Sequence, residues 1–331
     1  MTTLRDIARK AAVSTATVSN VLNNSLYVSP ALRARVLAAV GELNYRPNSL
    51  ARSLRVRRSQ AIGMVVPDIT NPFFPAVVRG AEDVLTPAGF TLIIGNSDND
   101  MIKEENYYRT FLERQIDGLL TVPTSDRVPD TLKQLSARGV PIVYVDRFHP
   151  SIPADLVMAE NREASRRCVR HLAARGRTRI AIITGPLNLS NARERLQGYR
   201  RALKEERRRV IGAFIREGAF DRVSGREQTR ALLALRPRPD ALFCSNALMA
   251  CGALEAIEEA GLSCPGEIAL ACFDQLEFFD LLRPRPTCIA APSYELGTRG
   301  AEMILKRLSG VTAGPWERCL LSGELIQGES S

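Results

Sequence analysis

The chain has 331 residues, a net charge of +9, and 45% hydrophobic residues. That length exceeds one ordinary core and suits two or three domains. No apolar run approaches a membrane span and no signal-peptide apolar stretch opens the chain, so the expectation is a cytoplasmic protein without a membrane partner. Seven cysteines form no CxxC pair, which argues for reduced, buried thiols rather than a disulfide framework. The two histidines, His149 and His171, have no second plausible ligand nearby, so no metal and no cofactor are expected.

The charge is concentrated. Residues 1–58 hold ten Lys/Arg against two acids, a net +8, and the rest of the chain carries only +1. A compact basic module on a neutral body is the electrostatic footprint of a phosphate-binding domain. Three short helices are predicted in it. Thr3 caps the first with Asp6 at N3, and Leu4, Ile7, Ala8 and Ala11 form its apolar face. Ser14 caps the second, with Val13 and Val18 as a hydrophobic staple and Val18, Val21 and Leu22 facing inward. Its other face offers Thr15, Ala16, Ser19 and Asn20. Ser29 caps the third, with Pro30 at the first helical position and Leu32, Val36, Val40 and Leu43 buried.

Only Ala12 and Val13 separate the first two helices. Two short helices so closely joined, on a basic background, describe a helix-turn-helix. The lack of charge on the second then has a reason. A helix in the major groove needs short side chains that reach base edges, while charge belongs on the flanks against phosphate. In "RPNSLARSLRVRR" (46–58), Asn48 can cap a short helix carrying Leu50, Ala51 and Leu54 with Arg52 and Arg55 between them. A leucine flanked by arginines suits a minor-groove wedge: the apolar side chain enters a base step while the cations hold phosphates.

The stretch "TLRDIARKAAVSTATVSNVLNN…VSPALRARVLAAVGELNYRPNSLARSLR" resembles the DNA-binding headpiece and hinge of the LacI/GalR family of bacterial transcription regulators. "IGMVVPDITNPFF" (62–74), "GYRRAL" (198–203) and "ELGTRGAEMIL" (295–305) resemble that family's effector-binding core. The resemblance implies a homodimer on a pseudo-palindromic operator, with Thr15, Ala16 and Asn20 reading bases and Leu54 intercalating beside Arg52 and Arg55. It implies an α + α/β architecture: a helix-turn-helix headpiece (1–46), a hinge helix (47–58), and a two-lobed periplasmic-binding-protein-like core of doubly wound parallel sheets (59–331). Lobe one takes about 59–160 plus 290–320; lobe two takes about 161–289 plus 321–331.

The body reads the same way from its own pattern. "AIGMVVP" (61–67), "FTLIIGN" (90–96), "IDGLLTV" (116–122) and "PIVYVD" (141–146) alternate with helical segments. The rhythm returns with "RIAIITG" (179–185), "VIGAFI" (210–215), "ALFCSN" (241–246) and "IALACFD" (268–274). Such alternation argues for parallel sheets covered on both faces, in two similar lobes. "TCIAAPS" (287–293) and the helix after it are expected to return to the first lobe, as the resemblance implies.

Ligands of such sheets sit beyond the carboxyl ends of strands. Asp68, Asn96, Asp146 with Arg147, Asn246 and Asp274 close apolar runs from both blocks and point to a polar cleft. These groups suit paired hydrogen bonds to the hydroxyls of a small sugar-like effector, with Phe73, Phe74 or Phe220 over its apolar face. Arg195 resembles the family's effector-contacting arginine. The chain departs from the common family pattern at Ala247, which follows Asn246, and at Gln275, which follows Asp274.

The expected function is a ligand-responsive DNA-binding regulator, most naturally a repressor. The competing readings are a cytoplasmic solute-binding or sensor protein, and a regulator responding to a nucleobase, a sugar phosphate or a protein co-regulator. An enzyme is not expected: GxGxxG after the first strand, GxxxxGK[ST] and a GxSxG elbow are all missing, and no nucleophile is paired with a base. The segment after "GELIQ" has no leucine heptad, which favours a dimer over a tetramer.

Overall fold

The computed structural model describes residues 2–23, 27–45, 59–310 and 314–331. The expected hinge helix, with Arg52, Leu54 and Arg55, lies outside them. The chain forms two compact units, 1–58 and 59–331.

In the first unit, α1 (Leu4–Ala11), α2 (Thr15–Asn23) and α3 (Pro30–Glu42) enclose a small core of Ile7, Ala8, Ala11, Val18, Val21, Val36 and Ala39. The Thr3 hydroxyl accepts from Asp6 N, and the Asp6 carboxylate accepts from Thr3 N at 2.9 Å. The Ser14 hydroxyl accepts from Thr17 N at 3.1 Å, which caps α2. Two details differ from the sequence reading. Ser29 makes no side-chain cap bond, so α3 starts on Pro30 and its fixed φ alone. The buried α3 positions are Val36 and Ala39, while Leu32, Val40 and, just past the helix end, Leu43 are only half-buried.

The second unit holds two six-stranded sheets. The first has the order β11-β5-β4-β3-β1-β2, from β1 (Ala61–Val66), β2 (Thr91–Asn96), β3 (Gly118–Thr121), β4 (Ile142–Val145), β5 (Asp155–Ala159) and β11 (Arg318–Leu321). The second has the order β12-β10-β9-β8-β6-β7, from β6 (Ile180–Thr184), β7 (Ile215–Glu217), β8 (Ala241–Cys244), β9 (Ala269–Phe273), β10 (Thr287–Ala290) and β12 (Glu324–Ile326). All pairings are parallel except β10 with β12. The central strands are buried on both faces, and each sheet separates two apolar clusters. This is the doubly wound pattern, with helices covering both faces.

The first lobe's helices are α4 (Phe73–Leu85), α5 (Met101–Glu113) and α6 (Asp130–Ala137); the second lobe's are α7 (Asn161–Ala174), α8 (Ser190–Glu205), α9 (Arg222–Leu233) and α10 (Ala247–Glu259). The last helix, α11 (Ser293–Leu308), returns to lobe one and packs on α4. Glycines permit that approach: a Cβ on Gly297 would lie 1.9 Å from the Val77 carbonyl oxygen, and one on Gly80 would lie 2.1 Å from that of Tyr294. The strand "TCIA" does not return with this helix. It is β10 and pairs with β9, because its apolar side chains complete the second lobe's core. The "VIGAFI" run also differs: residues 212–214 form a 3₁₀ turn, and the strand begins only at Ile215.

The seven cysteines are unpaired. Cys244, Cys272 and Cys288 stand in register on neighbouring strands, where burial pushes their thiols up and leaves them inert small apolar residues. Among the described residues, no helix is long and apolar enough to cross a membrane.

Candidate functional site

Two surfaces carry chemistry, one in each unit. In the first unit, Thr15 and Ala16 are exposed on α2, and Ser19 and Asn20 are half-exposed beside them. This face opposes the buried Val18 and Val21, so packing of the apolar side fixes which side chains point outward. The turn before it is held by α3. Ala12 has φ 51°, a left-handed conformation that a Cβ disfavours. Arg35 donates to the carbonyls of Ala11 and Ala12, binding the turn to the third helix.

In the second unit, strand ends and helix starts from both lobes converge on a narrow chamber. It is lined by Asn71, Phe73, Phe74, Asp146, Arg147, Asn191, Arg195, Phe220, Asn246 and Asp274. Eight of the ten core residues singled out in the sequence for the cleft are therefore in one place. Lobe one supplies Asn71, Phe73 and Phe74 at the start of α4, and Asp146 and Arg147 after β4. Lobe two supplies Asn191 and Arg195 from α8, Phe220 after β7, Asn246 before α10, and Asp274 after β9.

Ion pairs and hydrogen bonds cross the chamber. Asn191 Nδ2 donates to Asp146 Oδ2 at 2.7 Å, and Arg195 lies 3.8 Å from Asp146 and 3.9 Å from Asp274. Arg195 is itself held: its Nε donates to Asn161 Oδ1 at 2.8 Å and its Nη1 to the Ser245 carbonyl. Arg147 donates to the Pro123 carbonyl at 3.3 Å, and its guanidinium carbon sits 5.5 Å from the centre of the Phe220 ring. Burial lowers the Arg147 pKa to about 10, against the opposing pull of Asp146. Burial raises Asp274 to about 6, although Arg195 draws it down.

Strain and unpaired polar atoms concentrate here. Asp146, Phe220 and Asp274 have φ of 62°, 63° and 69°, left-handed positions without glycine. Each costs about 1–3 kcal/mol, a penalty that ligand sites commonly carry. Asp146 Oδ1, Asp274 Oδ1 and Arg147 Nε are buried without a hydrogen-bond partner. A buried polar atom left unpaired costs about 1–3 kcal/mol, so the chamber holds two acceptors and one donor poised for a small polar molecule.

The other sequence expectations divide. Asp68 and Asn96 stay outside the chamber and close their own loops: Asp68 accepts from Thr70 N, and Asn96 accepts from Ile69 N and donates to Asp98. Asn246 lines the chamber, but its amide is engaged elsewhere. Its Oδ1 caps α10 by accepting from Met249 N at 2.9 Å, and its Nδ2 donates to the Phe220 carbonyl at 2.8 Å. It positions Phe220 in its left-handed turn. Sequence reading missed Asn71, in the loop just ahead of α4, and Asn191, in the first turn of α8; each follows a core strand. Among the described residues, no group of three His, Cys, Asp or Glu is placed to hold a metal ion.

Two family models match the chain. Residues 3–48 match "Bacterial regulatory proteins, lacI family", and residues 169–331 match "Periplasmic binding protein-like domain". A repressor named PurR from Photobacterium profundum is 35% identical over 93% of this chain and 92% of its own. The ribose operon repressor of Escherichia coli strain K12 is 35% identical over 94% of each chain. The solved lac repressor dimer bound to operator and the anti-inducer ONPF superposes with a TM-score of 0.88 at 28% identity, covering 99% of this chain and 98% of that one. A basic helix-turn-helix unit, a strained polar chamber between two parallel-sheet lobes, and these likenesses along nearly the whole sequence agree: the chain belongs to the lacI family of bacterial regulatory proteins, ligand-responsive transcription repressors that bind operator DNA and are not enzymes.

Proposed function

We propose that the effector is a small, uncharged, hydroxyl-rich molecule of monosaccharide size, bound in the interlobe chamber and switching the operator affinity of a homodimer in the cytoplasm. The observation that carries this reading is the set of unpaired buried atoms: Asp146 Oδ1, Asp274 Oδ1 and Arg147 Nε. Carboxylate oxygens accept and do not donate, so they need a ligand with hydrogen-bond donors, and a hydroxyl fits because it can also accept from the arginine. Two carboxylates face two guanidiniums in the chamber, so its charge is balanced and a phosphorylated ligand gains no net attraction. Phe73, Phe74 and Phe220 supply apolar cover.

On the DNA side, the reading takes 1–46 as headpiece, 47–58 as hinge and 59–331 as effector core. Thr15, Ala16 and Asn20 read base edges, while Leu54, Arg52 and Arg55 enter the minor groove of a pseudo-palindromic site. Effector closes the lobes, and closure alters how the hinge segments engage DNA. The coupling between ligand and operator is reciprocal, typically about 1–3 kcal/mol.

The test is a thermal-shift panel on the full chain with neutral monosaccharides, sugar phosphates and nucleobases, followed by anisotropy with duplexes selected from a random pool. Because several relatives are ribose operon repressors, ribose is the first sugar to try. Neutral sugars should raise the melting temperature and change duplex affinity. Stabilisation by a phosphorylated sugar or a nucleobase alone would reject the proposed ligand class.

A further inference from the structure

We infer that Asp117 is a positioning residue for DNA binding: its carboxylate clasps the root of the segment that leads from the core to the headpiece. Asp117 Oδ1 accepts from Ser59 N at 3.1 Å, and Oδ2 accepts from Gln60 N at 2.7 Å. Both oxygens are thus spent on the two consecutive amides where the chain enters the core. The reverse bond closes the ring, with Asp117 N donating to the Ala61 carbonyl at 2.8 Å. Thr91 N donates to the Gln60 carbonyl at 2.8 Å from the neighbouring strand. Gln60 itself has φ 53°, so the clasp holds a sharp, unfavourable turn rather than an extended chain.

The location gives the clasp its role. Asp117 immediately precedes β3, and β3 ends near Pro123, whose carbonyl accepts from Arg147 of the chamber. One strand therefore carries the clasp at one end and an effector-site contact at the other. The α5 helix runs alongside and is pinned near the chamber end by buried Glu104, which accepts from Thr124 Oγ1 at 2.7 Å and Tyr108 Oη at 2.9 Å. Its C-terminal loop delivers Asp117 through bonds from Gln115 N to Leu112 O and from Ile116 N to Phe111 O. A rigid lobe can steer the preceding segment only if the exit point is fixed to it. The strand pairing of β1 begins at Ala61, so residues 59 and 60 depend on Asp117 and Thr91 for their direction.

Asparagine at 117 keeps the shape but offers one acceptor oxygen where two amides need one each, and its NH₂ faces the second N–H. The experiment compares the full wild-type chain with Asp117→Asn and Asp117→Ala. Duplexes selected by the wild type from a random pool, and scrambled versions of them, are titrated by anisotropy. Hydrogen exchange at the Ser59 and Gln60 amides reports the clasp directly, and trypsin cleavage after Arg52, Arg55, Arg57 and Arg58 in the DNA complex reports the segment it anchors. Both variants should exchange faster at 59–60, be cut faster when bound, and lose about tenfold or more on the selected duplex with little change on the scrambled one. A merely structural role would lower the melting temperature and leave the ratio of the two affinities as it was. The inference is overturned if that ratio is unchanged in both variants, or if exchange at 59–60 is unaltered.

Discussion

The guanidinium carbon of Arg195 lies 3.7 Å from the centre of the Phe273 ring. This stacking fixes a fully desolvated cation at the end of β9, where its nitrogens face Asp146 from lobe one and Asp274 from lobe two. The arginine is therefore both part of the second lobe's core and the counter-charge of the chamber. Its planar group suits both tasks at once, since it stacks on an aromatic face and keeps its edge for carboxylates.

Arg195→Met tests that double role. Methionine fills similar volume over Phe273 but leaves buried Asp274 without its cation and Asp146 with Arg147 alone. Removing one partner of a buried charge set typically costs about 3–5 kcal/mol. Urea unfolding of the variant at neutral pH should show a loss of that size, and effector binding by calorimetry should vanish. A loss under about 1 kcal/mol would mean that solvent, not Arg195, compensates the pair.

Much of this was legible in the sequence, for reasons that separate by residue. The headpiece was readable because caps, staple and turn are local features: Thr3 with Asp6, and Ser14 with Thr17, form the bonds their spacing predicts. The strand-end rule found Asp146 and Asp274 because they end β4 and β9, interior strands of their sheets. It failed for Asn96, whose strand is the edge of its sheet, and for Asp68, whose carboxylate folds into its own turn. Asn246 illustrates a different limit. Its position was right, but a capping residue and a ligand contact look alike until the hydrogen bonds are traced. Asn191 escaped because helix periodicity does not say which end of α8 meets the opposite lobe. Positive φ at Asp146, Phe220 and Asp274 is invisible to pattern reading, since only glycine announces that conformation.

Arg35 yields a prediction that separates packing from phosphate contact. Its guanidinium is spent on the carbonyls of Ala11 and Ala12 at the turn before α2. Hydrogen bonds from a charged donor contribute about 1.5–3 kcal/mol, so Arg35→Met should destabilise the headpiece by that order. Operator affinity should fall, while the slope of log affinity against log salt stays the same. A residue contacting phosphate would instead reduce that slope by about one unit.

The base-reading assignment rests on Asn20, whose amide can both donate to and accept from an adenine edge. Asn20→Ala should weaken binding to a selected duplex by about 1–3 kcal/mol and relax base preference at one position in each half-site. Selection repeated with the variant reads this directly. An equal loss on selected and random DNA would show that Asn20 serves the fold of α2 and not its recognition.

Asp274 makes the effector site sensitive to mild acid. Burial raises its pKa from 3.8 to about 6, with Asp146 adding to the rise and Arg195 opposing it. Between those values the folded protein binds more protons than the unfolded chain, so ligand-free stability falls as pH rises through this window. The rise from 3.8 to about 6 corresponds to a loss of about 3 kcal/mol, fully expressed above the folded pKa. Effector binding runs the opposite way. A hydroxyl donating to Asp274 Oδ1 favours the carboxylate, so protonation competes with ligand and affinity drops as pH falls below about 6. At pH 5 affinity should be about tenfold weaker than at pH 7.5, because the acid form then dominates in the free protein. Asp274→Asn removes the titration. The variant should flatten both profiles, melting more uniformly between pH 4.5 and 7.5 and binding weakly at every pH. A wild-type affinity that does not change across this range would show that the ligand leaves Asp274 unpaired.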